Sequence, residues 1–140
     1  MGQTSSKNTI KTGGDKKKIV QSIKRSLNRG SNNDKAYSDY VNETQDFAYI
    51  QVQGTILAFI SSTDKFIEYL WVQKKIRRKG YAKKLFDFYK NNHSTFSLYV
   101  TRASRAFWDR MRELNRGTHH VELVSEAIGE KMIWTRKLIL

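Results

Sequence analysis

The stretch Val72-Gln-Lys-Lys-Ile-Arg77-Arg-Lys-Gly80-Tyr81-Ala82 decides the reading of this chain. It joins two patterned segments. Upstream, Phe66-Ile-Glu-Tyr-Leu-Trp-Val72 is rich in β-branched and aromatic residues and reads as a strand. Downstream, Ala82, Leu85, Phe86 and Tyr89 recur at helical spacing, so residues 80–92 read as an amphipathic helix. A helix start exposes N–H groups with no partner inside the helix, and the macrodipole makes that end attractive to anions. Gly80 lets the main chain approach a ligand with no Cβ in the way, and Ala82 keeps the first turn thin. Arg77, Arg78 and Lys79 add full positive charges beside the amides. Strand, basic turn and helix together predict a cradle for two linked phosphates. A basic, solvated loop would share the charge, but not the coincidence of Gly80, Ala82 and an apolar strand directly upstream.

Outward from this junction the periodicity alternates between two and three-to-four. Asp15 caps an expected amphipathic helix whose Ile19, Val20, Ile23 and Leu27 share a face and which Gly30 ends. Residues 31–45 are polar, with Tyr37 and Tyr40 expected to pack the segment back as a loop or short helix. Residues 47–52 and 55–60 read as a hairpin turning at Gln53-Gly54. After the helix at 80–92, Phe96, Leu98 and Val100 alternate as a strand. Ser104 is the expected N-cap of a helix burying Phe107, Met111 and Leu114, which Gly117 ends. Residues 119–125 and 131–139 read as two last strands. A strand–helix–strand unit following a meander predicts an α+β fold with a mixed sheet.

Composition narrows the function classes. The chain has 140 residues, 39% of them hydrophobic, with three Trp, seven Tyr and seven Phe as bulky core material. It has no Cys, so no disulfide framework or thiolate metal site is available. No apolar run approaches a membrane span and no secretory pattern heads the chain, which leads us to expect a cytoplasmic location. The net charge of +13 is uneven: residues 1–35 and 73–90 each carry +7, residues 36–72 carry −4, and residues 102–116 carry +3. Such a field attracts nucleic acid, an acidic protein, or the phosphates of a small ligand.

Arg77-x-x-Gly80-x-Ala82 matches the Q/R-x-x-G-x-G/A signature of the GNAT N-acetyltransferases, and Ile67–Val72 resembles that family's fourth strand, with Val72 five residues before the arginine. The resemblance covers roughly residues 45–115. It implies a GNAT-like fold: a central mixed β-sheet with a V-shaped splay between the fourth and fifth strands, flanked by helices. Residues 1–14 would be a flexible basic tail and 15–140 a single acetyltransferase domain. The implied cosubstrate is acetyl-CoA. Its pyrophosphate would lie on Arg77, Arg78, Lys79, Gly80, Tyr81 and Ala82, and its pantetheine arm along Leu70, Trp71 and Val72, where the family's strand bulges near its end. The implied reaction is acetyl transfer to an amine, expected from the surface charge to sit on a protein lysine, an aminoacyl-tRNA or another acidic partner.

The resemblance also suggests the proton-transfer groups. Family members often place a Glu on the fourth strand, which makes Glu68 the candidate base; its even spacing from Val72 puts both on one face unless a bulge intervenes. The usual acid is a Tyr on the helix after the fifth strand, where this chain has Phe107-Trp108. An indole N–H is not a usable acid, which leaves Tyr99, another Tyr or water as the substitute. An alternative function follows from that departure: a GNAT-like basic protein with little catalysis, presenting Arg102, Arg105, Arg110 and Arg112 from one helix to phosphates. His119-His120 is read as the surface start of a strand rather than a metal site, because neighbouring strand residues face opposite ways. Met1-Gly2 through Lys7 fits the permissive N-myristoylation pattern, with an ordinary tail the expectation.

Overall fold

The two-residue periodicity around Gln53-Gly54 is realised as a hairpin. A computed structural model describes residues 9–138. In chain order they form α1 (Lys16–Leu27), α2 (Asn32–Ser38), β1 (Asp46–Val52), β2 (Thr55–Thr63), β3 (Phe66–Val72), α3 (Tyr81–Asn92), β4 (Thr95–Val100), α4 (Arg105–Leu114), β5 (His119–Glu126) and β6 (Gly129–Arg136). A short 3-10 turn at Lys74–Ile76 links β3 to the approach of α3. Gln53 and Gly54 take φ of 50° and 81°, the two left-handed residues that a tight hairpin turn requires.

Six strands make one mixed sheet in the order β1-β2-β3-β4-β6-β5. Every neighbouring pair is antiparallel except β3 and β4, which α3 connects as a parallel crossover. The apolar stripes foreseen in the helices decide what covers each face. Leu85, Phe86 and Tyr89 of α3 and Trp108 and Met111 of α4 pack on one face with Ile50, Ile60, Phe96, Leu98, Met132 and Trp134. Phe86 is the hub, edge-on to Phe96, Trp108 and Trp134 with ring centroids 5.7, 5.1 and 5.0 Å away. On the other face, Ile19, Val20, Ile23 and Leu27 of α1 cover Phe47, Tyr49, Ile56, Phe59 and Trp71. Asp15 caps α1 as expected, accepting from the N–H groups of Lys17 and Lys18, and Ser26 Oγ donates to the Ile56 carbonyl at 3.1 Å, tying the helix to β2.

Several expectations are corrected. Ser104 stands at the start of α4 but does not cap it: its hydroxyl turns back to accept from the Thr101 N–H at 3.0 Å. Tyr37 packs back onto Tyr69, whereas Tyr40 is 71% exposed. Leu114, expected in the core, is half exposed. His119 is not a surface residue; it is buried against Trp134, with ring centroids 5.6 Å apart, while His120 is exposed. Of the segment 1–14, residues 1–8 and with them Gly2 lie outside the described residues. Lys11, within the expected tail, exchanges two main-chain hydrogen bonds with Tyr49 at 2.8 and 2.9 Å. No helix among the described residues is long and apolar enough to cross a membrane.

Two measurements check this core. Phe86→Ala removes the ring that three others abut and lowers unfolding free energy by about 3–5 kcal/mol in chemical denaturation. Burial, and then the charges of Lys90 and Arg136, lower the His119 pKa. The unfolded chain therefore binds the proton first, so stability falls as pH drops below about 6.5 and levels off below the folded value. Comparing stability at roughly pH 7 and pH 5, His119→Gln is expected to show a smaller acid loss than the native chain.

Candidate functional site between β3 and β4

The parallel pair at the centre of the sheet is barely a pair. β3 and β4 meet only at Phe66 opposite Ser97, where the Ser97 N–H reaches the Lys65 carbonyl at 3.0 Å, and then separate. The other edge of β3 is paired with β2 from Tyr69 to Val72. The Gln73 N–H bonds the Leu57 carbonyl at 2.8 Å and Trp71 lies opposite Phe59, so the odd-numbered peptide groups here turn towards β2. Alternation then directs the main-chain groups of Leu70 and Val72 into the splay, where β4 supplies no ladder. A cleft of about 840 Å³ opens there, bounded by Leu70, Val72, Leu98, Tyr99 and Phe107.

The basic turn closes one end of this cleft. Arg77 follows the 3-10 turn and folds its side chain back, Nε donating to the Val72 carbonyl at 2.9 Å. That bond fixes the turn against the end of β3, so Arg77 is a brace as well as a charge. Arg78 and Gly80 take φ of 67° and 87°. For Gly80 this left-handed conformation, rather than crowding, is what excludes other residues, since a Cβ there would meet no protein atom within 4 Å. Gly80 occupies the N-cap of α3, and no side chain caps that helix. Arg77, Arg78, Gly80, Tyr81, Ala82 and Lys83 all border the cleft. Lys79, grouped with them in the sequence, is exposed and does not.

The opposite end is acidic and aromatic, and a bulge creates it. Ser61 faces Tyr69 while Ser62 faces Ile67, so Glu68 is an extra residue on β3. The bulge thus lies in the middle of the strand rather than near its end. It breaks the alternation: Ile67 packs with Val72 under α3 and α4, while Tyr69 and Trp71 face the α1 side. Glu68 goes with Tyr69, so its even spacing from Val72 does not bring the two to one face. Its Oε1 accepts from Gln45 Nε2 and from Thr63 Oγ1, the latter at 3.0 Å, and the exposed carboxyl borders the cleft.

Asp34, which the sequence did not single out, stands against Tyr69 and Trp71. It is 5% exposed and collects three donors: Tyr69 Oη on Oδ1 at 2.9 Å, and Trp71 Nε1 and the Ser31 N–H on Oδ2, each at 3.1 Å. Ser31-x-x-Asp34 is a capping box, a signal visible in the sequence; the two aromatic donors from β3 are not. A Cβ on Gly30 would lie 2.2 Å from Asp34 Oδ2, so glycine there makes room for the carboxyl. Trp71 is accordingly committed twice, its main chain to β2 and its indole to Asp34, and of the three β3 residues foreseen as a ligand edge only Leu70 and Val72 offer one.

The remaining candidates are placed as follows. Tyr99 borders the cleft from β4, lies edge-on to Phe66 at 5.4 Å and gives its phenol proton to Glu126, a hydrogen bond that raises its pKa. Trp108 is a core residue, 4% exposed. The arginines of residues 102–116 do not form one stripe. Arg102 precedes α4, Arg105 is paired with Glu130, and Arg110 turns towards the cleft, well round the helix from Arg105 and Arg112.

No protein-family model matches the chain, and no curated protein matches it either. Solved structures do. The Bacillus subtilis N-acetyltransferase YlbP, in complex with coenzyme A, superposes with a TM-score of 0.60 at 15% identity, over 91% of this chain and 95% of that one. A GNAT-family acetyltransferase from Bacillus cereus gives 0.55 at 17% identity over 94% and 98%. Aminoglycoside 6'-acetyltransferase type Ii gives 0.56 at 11% identity over 94% and 98%. With its splayed mixed sheet and flanking helices, the chain has the fold of the GNAT N-acetyltransferases.

Proposed function

We propose that the protein, as a single acetyltransferase domain, moves an acetyl group from acetyl-CoA to an amine. The observation that carries this is one cleft holding both an unladdered strand edge, at Leu70 and Val72, and an uncapped, glycine-led helix start ringed by cations. The fit to the coenzyme is chemical. Pantetheine carries amides that pair with a strand edge as another strand would, and a pyrophosphate suits the α3 start with Arg78 and Lys83 beside it. Arg77 holds this turn in place through Val72. The structural neighbour that binds coenzyme A supports the same reading.

Acetyl-CoA supplies an activated thioester; the chain positions it and handles protons. An unprotonated amine attacks the carbonyl carbon, the C–N bond forms, the C–S bond breaks with its electron pair on sulfur, and the amine releases a proton. Main-chain N–H groups of β3 at the splay stabilise the developing oxyanion. Glu68, exposed on the side away from the coenzyme turn, takes the amine proton directly or through water. Tyr99 is the phenol on the β4 wall available to the departing thiolate, once released from Glu126.

The acceptor was expected on an acidic partner, a protein lysine or aminoacyl-tRNA among the choices. The cations of residues 73–90 that border the cleft gather at its coenzyme end, so their charge is accounted for by the coenzyme's phosphates and argues less for a polyanionic acceptor. A basic protein that binds without catalysis remains the second reading, favoured by Trp108 lying in the core where an acid was sought.

Titration calorimetry with acetyl-CoA, paired with thiol release using spermidine and a lysine-containing peptide, separates the two. Gly80→Glu places a carboxylate where phosphate belongs, on a strained backbone, and is expected to weaken coenzyme binding by at least about 30-fold. Arg77→Ala, losing brace and charge, is expected to cost about tenfold. Undiminished binding in both variants sinks the proposal. Glu68→Gln is expected to lower kcat by about 100-fold at unchanged coenzyme affinity; full activity removes Glu68 as the base.

A further inference from the structure

The bulge that exposes Glu68 also delivers Tyr69, and Tyr69 is held more tightly than packing requires. Its ring lies flat on Tyr37, centroids 4.1 Å apart with 9° between planes, and Phe59 is 6.2 Å away. Those contacts fix the plane of the ring. Asp34 fixes the hydroxyl: a carboxylate oxygen can only accept, so the phenol donates, at 2.9 Å. Asp34 cannot follow a moving partner, because Oδ2 is held by Trp71 Nε1 and the Ser31 N–H. A capping box accounts for the Ser31 contact alone. It does not account for a buried carboxyl that also gathers two aromatic donors from the strand lining the cleft.

With its proton committed, Tyr69 has only phenol lone pairs to offer the cleft it borders. Burial, and then the hydrogen bond to Asp34, raise its pKa, so it stays a neutral acceptor through the working range. Its neighbour Leu70 carries the main-chain edge against which the thioester is read to lie. We propose, resting on the acetyl-transfer reading, that Tyr69 accepts a hydrogen bond from the N–H of the acceptor amine and that Asp34 is the positioning residue that aims it. One N–H given to the phenol oxygen leaves the amine's lone pair directed at the thioester carbon. The second N–H proton leaves towards Glu68 as the C–N bond forms and the C–S bond breaks.

The test uses the full chain with acetyl-CoA, with spermidine and a lysine-containing peptide as acceptor probes. Tyr69→Phe keeps the ring between Tyr37 and Phe59, and thermal unfolding verifies that it folds. Its KM for the amine is expected to rise about tenfold at unchanged coenzyme affinity. Asp34→Asn is expected to raise that KM similarly in the native background and not at all in the Tyr69→Phe background, a non-additivity that a structural role alone would not produce. Should Asp34→Asn fail to fold, the same coupling is read by ultraviolet titration. The native-minus-Tyr69→Phe spectrum is expected to show no tyrosinate one unit above the ordinary phenol value of about 10. An unchanged amine KM in Tyr69→Phe, additive effects, or ionisation of Tyr69 at the ordinary value overturns the proposal while acetyl transfer stands. Loss of coenzyme binding in Tyr69→Phe overturns it too, by placing the ring on the coenzyme. Absence of any thiol release from the native chain removes the acetyl-transfer reading and this proposal with it.

Discussion

A parallel strand pair that joins at one residue and then opens leaves main-chain groups in the middle of a protein without a ladder. Phe66 and Ser97 make that single join, and the peptide groups of Leu70 and Val72 face the gap that follows. Main-chain polar groups shut away from water without partners are costly, so a gap of this kind persists where solvent or a ligand can complete the bonding. The rest of the molecule keeps the gap open. β2 holds β3 from behind, β6 holds β4, and the Phe86 cluster braces both from below. The Val72 carbonyl shows the requirement at work, because it takes its hydrogen bond from Arg77 and thereby sets the turn that opens α3.

Charge is sorted along the cleft as well. Arg77, Arg78 and Lys83 stand at the helix end, and Glu68 lies two residues from Phe66, where β3 and β4 join. In a channel bounded by apolar side chains, such an arrangement orients a ligand that is anionic at one end and amine-bearing at the other. The positive charge of the chain is therefore partly local, with Arg77, Arg78 and Lys83 bordering one cleft.

Most of the architecture was legible in the sequence because the covering helices carry clean apolar stripes and the strands alternate. Ile19 to Leu27 and Ala82 to Tyr89 could be read directly, and Gln53-Gly54 announced its turn. The turn at Arg77–Ala82 was legible because its chemistry is local: a glycine, cations, and an apolar strand next to them; the positive φ that Gly80 takes was not foreseen. What stayed hidden depends on pairing across the chain. That Glu68 is the extra residue in β3 follows from its register with Ser61 and Ser62, which no spacing within β3 reveals. Asp34 was passed over because a carboxylate in a polar segment looks solvated; its partners Tyr69 and Trp71 lie 35 and 37 residues away. His119 was misjudged for the same reason, since Trp134 buries it from a neighbouring strand.

The bulge at Glu68 has a consequence for how such a protein can diverge. A regular strand would couple the two sides of the sheet, so that an insertion or slip altering one wall would move the other. Here the extra residue sits between Ile67 and Tyr69, and the register on either side of it is intact. Residue 68 can therefore change size or charge while Leu70 and Val72 keep their places. Selection could retune that wall of the cleft while inheriting the strand edge at Leu70 and Val72 unchanged.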